Sequence, residues 1–209
     1  ISKKKCLMEG IENISLKDVE ISNKLNFRIK LLGISEIVDG RLFERVHPCL
    51  VNKDSYIGNV NGVMNAVITE GEPVGESVLQ GEGAGPGPTS SALMSDLLSI
   101  LRGNIKFPFG IPNIKRKSIK VFNYDNYINS LYLRFEVKDK PGVLAQITNR
   151  LALKNISVER LIQIPNYKNK TASIVIITHK SKELDAQHCI NAISKSKNIL
   201  KYPTLIRLL

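Results

Sequence analysis

The sequence predicts an α+β protein: a mostly antiparallel sheet with helices over residues 1–103, a linker over 104–129, and a βαββαβ unit over 130–209. Three observations carry that prediction. Residues 27–80 show apolar–polar alternation of period two, broken by turn signals. A glycine-rich run, Gly81-Glu82-Gly83-Ala84-Gly85-Pro86-Gly87-Pro88-Thr89-Ser90-Ser91, feeds a stripe of Leu93, Leu97, Ile100 and Leu101 at helical spacing. From Leu131 onward, strand-like and helix-like periods alternate in the order βαββαβ.

In order, Ser15-Leu16-Lys17-Asp18 has the S-x-x-D form of a helix start, and a short helix to about Leu25 follows. Phe27, Ile29 and Leu31 alternate with Arg28 and Lys30, predicting a half-buried strand to about Val38. Asp39-Gly40 is a hairpin turn signal, with a partner strand from Leu42 to His47. Pro48 is expected to limit that strand, and Cys49-Leu50-Val51 to begin an irregular or helical connection. After a turn at Asn61-Gly62, strands at 63–69 and 74–80 flank Glu70-Gly71-Glu72-Pro73, so residues 27–80 read as one mostly antiparallel sheet.

In the glycine run, residues without a Cβ let the backbone come close to something flat or anionic. Thr89 or Ser90 offers a hydroxyl where the following helix would begin, and a helix N-terminus presents free N–H groups suited to phosphate or carboxylate. The plainer reading is a Gly/Pro-rich surface loop with a capped helix.

Residues 104–126 are rich in Pro, Gly, Asn and Lys, with aromatic side chains able to anchor a linker. Leu131, Leu133, Phe135 and Val137 form an alternating strand. Asp139-Lys140-Pro141-Gly142 opens a helix with Pro in its first turn, Val143, Leu144, Ile147 and Leu151 on its apolar face, and Asn155 ending it. Strands at 156–164 and 171–178, a helix marked by Ala186, Cys189, Ile190 and Ile193, and a strand at 204–209 complete a ferredoxin-like unit.

Bulk properties bound the function. The 43% hydrophobic and 23% charged contents are those of an ordinary globular chain. No apolar run approaches the ~18 residues that span a bilayer, and no signal-peptide pattern opens the chain. Cys6, Cys49 and Cys189 lie far apart and read as free thiols, so the expected compartment is cytoplasmic. The net charge of +11 belongs entirely to residues 116–209, with 17 Lys plus Arg against 6 Asp plus Glu. The basic residues are scattered without a tight run, so a solvated surface is expected rather than a nucleic-acid interface.

Phe135-Glu136-Val137-Lys138-Asp139-Lys140-Pro141-Gly142-Val143-Leu144-Ala145-Gln146-Ile147, with Asn155-Ile156-Ser157 behind it, resembles the ACT domain, a small-molecule sensor attached to amino-acid metabolic enzymes. The resemblance implies an effector site at Asp139, Pro141, Gly142, Val143 and Asn155. The residues agree: a strand-to-helix turn can receive a carboxylate on its N–H groups and an ammonium on Asp139.

Glu9-Gly10-Ile11, Ile29 to Ile34, Val46-His47-Pro48, Gly62 to Val67, and above all Gly81 to Ala92 with Asp96 resemble the later part of the catalytic domain of homoserine dehydrogenase. That family interconverts L-homoserine and L-aspartate 4-semialdehyde with NADP or NAD. The resemblance implies that Gly83, Ala84 and Gly85, with Thr89 opening the next helix, lie against the cofactor, which another domain mainly binds. It also implies threonine as effector and a homo-oligomer. No strand followed by G-x-G-x-x-G occurs, and the catalytic Asp and Lys of the family are expected upstream of Ile1, so no residue here is assigned a catalytic role. The chain reads as a C-terminal portion, inactive as a dehydrogenase by itself. Two further readings stay open: a non-catalytic amino-acid-binding regulatory or assembly subunit, and a decayed gene fragment.

His47, His179 and His188 have no metal-ligand spacing with one another or with the cysteines, and no metal site is expected. His47 reads as a satisfied structural histidine, and Cys189 as core. Glu70, Glu72 and Glu76 read as solvated acids, with Glu82 alone placed to touch a ligand. Asp96, on or beside the apolar stripe, should be buried and hydrogen-bonded.

Overall fold

The computed structural model describes residues 6–104, 110, 112–116 and 118–209. Lys3, Lys4 and Lys5, Phe107 and Phe109 lie outside them. The chain divides into two compact units: Ile1–Lys53 with Lys120–Leu209, and Asp54–Ile119.

In the first unit, strands β7 (Leu131–Lys138), β8 (Val158–Asn166), β9 (Thr171–Thr178) and β11 (Thr204–Leu208), with helices α3 (Val143–Ala152) and α4 (Glu183–Ser194), form the predicted βαββαβ unit. Its strands lie in the order β11-β7-β9-β8, every neighbouring pair antiparallel. The odd residues Leu131, Leu133, Phe135 and Val137 face α3 and α4, packing on Val143, Ile147, Leu151, Ile190 and Ile193. Alternation sends Tyr132 to the other face, with Val175, Ile177 and Ile206. Each such buried side chain contributes roughly 1.5–3 kcal/mol.

That sheet does not stop at β11. It continues into β3 (Arg41–Asn52), which pairs antiparallel with β2 (Phe27–Val38) over its whole length. The other side of β3 takes three partners in succession. Leu42 exchanges hydrogen bonds with Lys120 and Phe122, β1 (Leu7–Met8) pairs with Arg45 and Val46, and β11 pairs with Cys49 and Leu50. Helix α1 (Leu16–Lys24) crosses the Tyr132 face, burying Ile21 against Leu50. A short pair, β6 (Ile128–Asn129) with β10 (Ser181–Lys182), stands apart from this sheet.

The hairpin β2–β3 matches the predicted turn, but β3 runs straight through Pro48. The N–H and C=O of Val46 and Leu50, and the position between them held by Pro48, aim at the many-partnered side, where Glu9 N–H reaches Val46 O and Leu209 N–H reaches Leu50 O. Pro48 falls where β1 has ended and β11 is starting, so its missing N–H leaves no ladder bond unmade. The single sheet expected over 27–80 is likewise corrected. β2 and β3 belong to the seven-stranded sheet, whereas β4 (Met64–Gly71) and β5 (Gly75–Glu82) form a separate two-stranded hairpin in the second unit.

The compact units therefore cut the chain differently from a boundary at 104–129. Phe122, Tyr124 and Tyr127 stack around Phe43 of β3, fastening the latter part of that segment to the first unit.

Helix α2 (Pro86–Leu101), in the second unit, starts a turn earlier than the hydroxyl signal implied. Its N-cap is Gly85 at φ 115°, a backbone that excludes residues with a Cβ, and Pro86 and Pro88 occupy its first turn. Ser90 Oγ donates back to the Pro86 and Gly87 carbonyls instead of capping. The stripe Leu93, Leu97, Ile100 and Leu101 is exposed, and Asp96 with it, contrary to the buried carboxylate expected.

Candidate functional site

Two places answer to the sequence-predicted residues, one in each unit. In the first unit, β7 ends at Lys138 and α3 begins at Val143, with Gly142 as N-cap at φ 85°. This corrects the expected helix start: Pro141 precedes the cap. A cavity of about 400 Å³ opens at this turn, lined by Asp139, Pro141, Gly142 and Val143, together with Val137, Lys138, Lys140, Leu144, Gln163 and Ile174. Four of the five predicted effector residues thus come together.

The fifth, Asn155, does not line the cavity. It sits beyond the opposite end of α3, about 15 Å away by helix rise. There it holds a left-handed φ of 54° and closes the helix, its N–H on Ala152 O and the next N–H, of Ile156, on Leu151 O. The expectation that Asn155 ends the helix is met by this turn.

Gln163 was missed. It lies on β8 opposite Ile174 of β9, and its amide donates to Asp139 Oδ1 at 3.3 Å. Only the strand order brings β8 to the end of β7, so no local signal marks it. The cavity can offer a carboxylate in Asp139, two ammonium groups in Lys138 and Lys140, and the N-terminus of α3, where the first N–H groups lack intrahelical partners. That set complements a small zwitterion.

Beneath α1, on the other face of the sheet, lies a buried ion cluster. Arg134 donates to Asp18 through Nε at 2.5 Å and Nη2 at 2.8 Å, and to Glu136 through Nη1 at 2.5 Å. Asp18 also accepts from the Ser15 N–H, as the S-x-x-D pattern required, from the Ser15 hydroxyl, and from Tyr132 OH at 3.1 Å. Burial pushes the Asp18 carboxyl up, but the Arg134 and Ser15 hydrogen bonds outweigh it and hold it below its ordinary value. At Glu136 burial is likewise outweighed, by hydrogen bonds from Ser173 and Lys17.

A second cluster joins Arg207 of β11 to Glu9, at 2.7 and 2.9 Å, and to Glu183, at 2.7 Å. Tyr124 and Asn129 also donate to Glu183. Glu9 is therefore an ion-pair partner of the chain's last strand. His47 is buried close by. Its Nδ1 lies 3.0 Å from Pro48 O and 3.2 Å from Cys49 Sγ, while Nε2 has no partner among the described residues, so this histidine is only half satisfied. Burial pushes the Cys49 thiol up to about 11. Cys189 packs in the helix-side core, as expected.

In the second unit, Gly83, Ala84 and Gly85 form an exposed bend between β5 and α2. A Cβ on Gly83 would lie 1.6 Å from Asn65 Nδ2, so the side chain of Asn65 already fills that space. A Cβ on Gly81 or Gly87 would meet nothing within 4 Å. The helix end also has fewer donors than a typical N-terminus. Of the four residues that open it, Pro86 and Pro88 have no N–H, which leaves those of Gly85 and Gly87. The anion cradle of free N–H groups is corrected to a smooth, exposed backbone surface. That surface fits contact with a flat group better than capture of a phosphate.

The fold and these sites define a class: an α+β polypeptide in which an ACT module is sheet-bonded to a preceding αβ segment. Residues 1–98 match the family described as homoserine dehydrogenase, and residues 131–197 match the ACT domain. Homoserine dehydrogenases of Neisseria gonorrhoeae and of Synechocystis sp. are 36% identical over 209 residues and 33% identical over 211. These alignments cover 97% and 96% of this chain, and 48% of each relative. A crystal structure of a homoserine dehydrogenase from Thiobacillus denitrificans is similar with a TM-score of 0.83 at 31% identity, covering 99% of this chain and 48% of that one. The S. aureus enzyme at pH 7.0, 24% identical with a TM-score of 0.59, shares the fold. Residues 1–98 thus match the homoserine dehydrogenase family and are followed by an ACT domain, and the chain as a whole is similar to homoserine dehydrogenases. It spans about half the length of the curated relatives it matches.

Proposed function

We propose that this chain supplies the later part of the substrate domain of a homoserine dehydrogenase, together with the ACT module that senses an amino acid. The activity to which it contributes is the NAD(P)-dependent interconversion of L-homoserine and L-aspartate 4-semialdehyde, a step of threonine and methionine biosynthesis in the cytoplasm. The nucleotide, NADP or NAD, supplies the hydride when bound. Gly83, Ala84 and Gly85, with Thr89 in the helix behind them, offer it a surface, while its phosphates are held by a different domain. Their exposed, side-chain-poor backbone supports that role. Residues 104–129 act as the link between the two family segments, and the assembly is a homo-oligomer.

The observation that carries the regulatory half of this reading is the 400 Å³ cavity at the β7–α3 turn. Asp139 receives the ammonium of the effector, and the α3 N-terminus with Gly142 and Val143 receives its carboxylate. Pro141 shapes the turn, and threonine is the expected effector. Calorimetry with L-threonine and the other amino acids tests this. Wild type should bind one of them, and Asp139→Ala should weaken it at least tenfold. Absence of binding to every amino acid would remove the sensing role. Residues 1–209 alone, lacking a dinucleotide fingerprint, are expected to show no NADPH-dependent reduction of aspartate semialdehyde.

A further inference from the structure

The cavity and the ion cluster under α1 are the two faces of one two-stranded ribbon. Glu136 of β7 and Ser173 of β9 are register partners, and Ser173 Oγ donates to Glu136 Oε2 at 2.7 Å. One residue further along each strand, Val137 and Ile174 turn to the opposite side and line the Asp139 cavity. The wall of the cavity and the floor under α1 are therefore the same short piece of backbone.

That floor grips α1 by its first turn. Lys17 Nζ reaches Glu136 Oε1 at 3.2 Å and also donates to Ser173 Oγ. Arg134, two residues before Glu136, holds both oxygens of Asp18. Lys17 and Asp18 belong to α1, which passes through Leu25 directly into β2, so the grip reaches the segment that matches homoserine dehydrogenase. On the cavity side, Asp139 immediately follows β7 and is already tied to Gln163. A ligand that drew in Asp139 would pull on the end of the strand carrying Glu136. The Arg134–Asp18 pair is buried and tolerates little change of geometry, because a displaced partner leaves its mate desolvated; Lys17–Glu136, at its side, is partly exposed.

We infer that occupancy of the Asp139 cavity is relayed through the Glu136–Ser173 pair to α1, so that an amino acid bound on one face of the ribbon tightens the seating of the helix on the other. The inference rests on the amino-acid-site reading of that cavity. It adds a route by which the ACT module acts on the dehydrogenase segment, with Lys17 and Glu136 as positioning residues that touch no effector.

The test is hydrogen exchange of the full chain with and without saturating L-threonine, with calorimetry on the same samples. In wild type, threonine should slow exchange across residues 16–24 at least threefold. Glu136→Gln and Lys17→Met should still bind threonine in the calorimeter yet lose that slowing. Lys17 is partly solvent-exposed, so its replacement keeps the fold, and it decides the matter if Glu136→Gln does not fold. Threonine binding that protects residues 142–147 but leaves 16–24 unchanged would overturn the relay while leaving the amino-acid site standing. So would slowing that persists in Lys17→Met. If no amino acid binds, the site reading falls and the relay falls with it.

Discussion

His47 and Pro48 are adjacent on β3, and each departs from expectation for a reason set by distant strands. Pro48 is tolerated because β1 and β11 meet β3 on either side of it. His47 is sealed in with Arg45, Arg207 and Glu9 acting on it, and burial, the largest influence, lowers its pKa. Neither fact is local, so neither was legible in Val46-His47-Pro48. What was legible at this scale was conformational: the Ser15–Asp18 box, and the left-handed turns at Asp39-Gly40 and Asn155. The His47 environment sets a pH dependence. In the unfolded chain an imidazole titrates near 6.5, whereas native His47 gains its proton only at lower pH. Below about pH 6.5 the unfolded state therefore binds more protons, and stability falls as pH drops, with no contribution from this group above that range. Urea unfolding between pH 5 and 8 should show this slope in wild type, and His47→Gln should flatten it. Asp18, Glu136 and Glu183 act in a separate window. Their folded values lie below the unfolded ones, so the stability they contribute is lost as pH falls through those folded values, on the acid side of about pH 4.

Elements were read well wherever one period ran unbroken. β2, β7, β9 and α1 match their predicted spans within a residue or two, and α4 contains all four residues that marked it, because a period of 2 or 3.6 over eight or more residues has few competing explanations. The misses were boundaries set by proline and glycine: α2 begins on Pro86, and α3 begins after Pro141 and Gly142. The candidate site followed the same rule. Asp139 to Val143 form one contiguous turn and were legible, whereas Gln163 joins them only through the β7-β9-β8 order. The ion cluster under α1 was legible as a cap and invisible as a bridge. Its partner Arg134 lies 116 residues on from Asp18, in a strand whose alternation marks it only as polar. Removing one member of a buried pair leaves the other charge desolvated, so Asp18→Asn or Arg134→Met alone should cost about 3–5 kcal/mol. The double variant should cost less than the two single changes together. A double-mutant cycle by denaturant unfolding measures that coupling, and strict additivity would count against the bridge.

At the scale of the whole chain, the family segments and the packing units part company. Residues 1–98 and 131–197 match different families, yet β1, β2 and β3 are built into the sheet of the ACT module and α1 packs on its face. Three kinds of contact make that union. β11 pairs with β3 at Cys49 and Leu50, the Tyr132 face buries Leu50 and Ile21, and the pairs Arg134–Asp18 and Arg207–Glu9 cross it. A chain ending at Asn129 would expose that apolar face and leave the Asp18 carboxylate without its guanidinium. With several buried large apolar side chains at roughly 1.5–3 kcal/mol each and one broken buried ion pair, the loss is comparable to the ~5–15 kcal/mol that holds a domain together. Residues 1–129 are therefore expected not to retain β2 and β3 in native form. Their amides should exchange at near-random-coil rates in the shortened chain and slowly in the full one. Retention of slow exchange at 43–51 after removal of residues 130–209 would show that the dehydrogenase segment is stable without the ACT sheet.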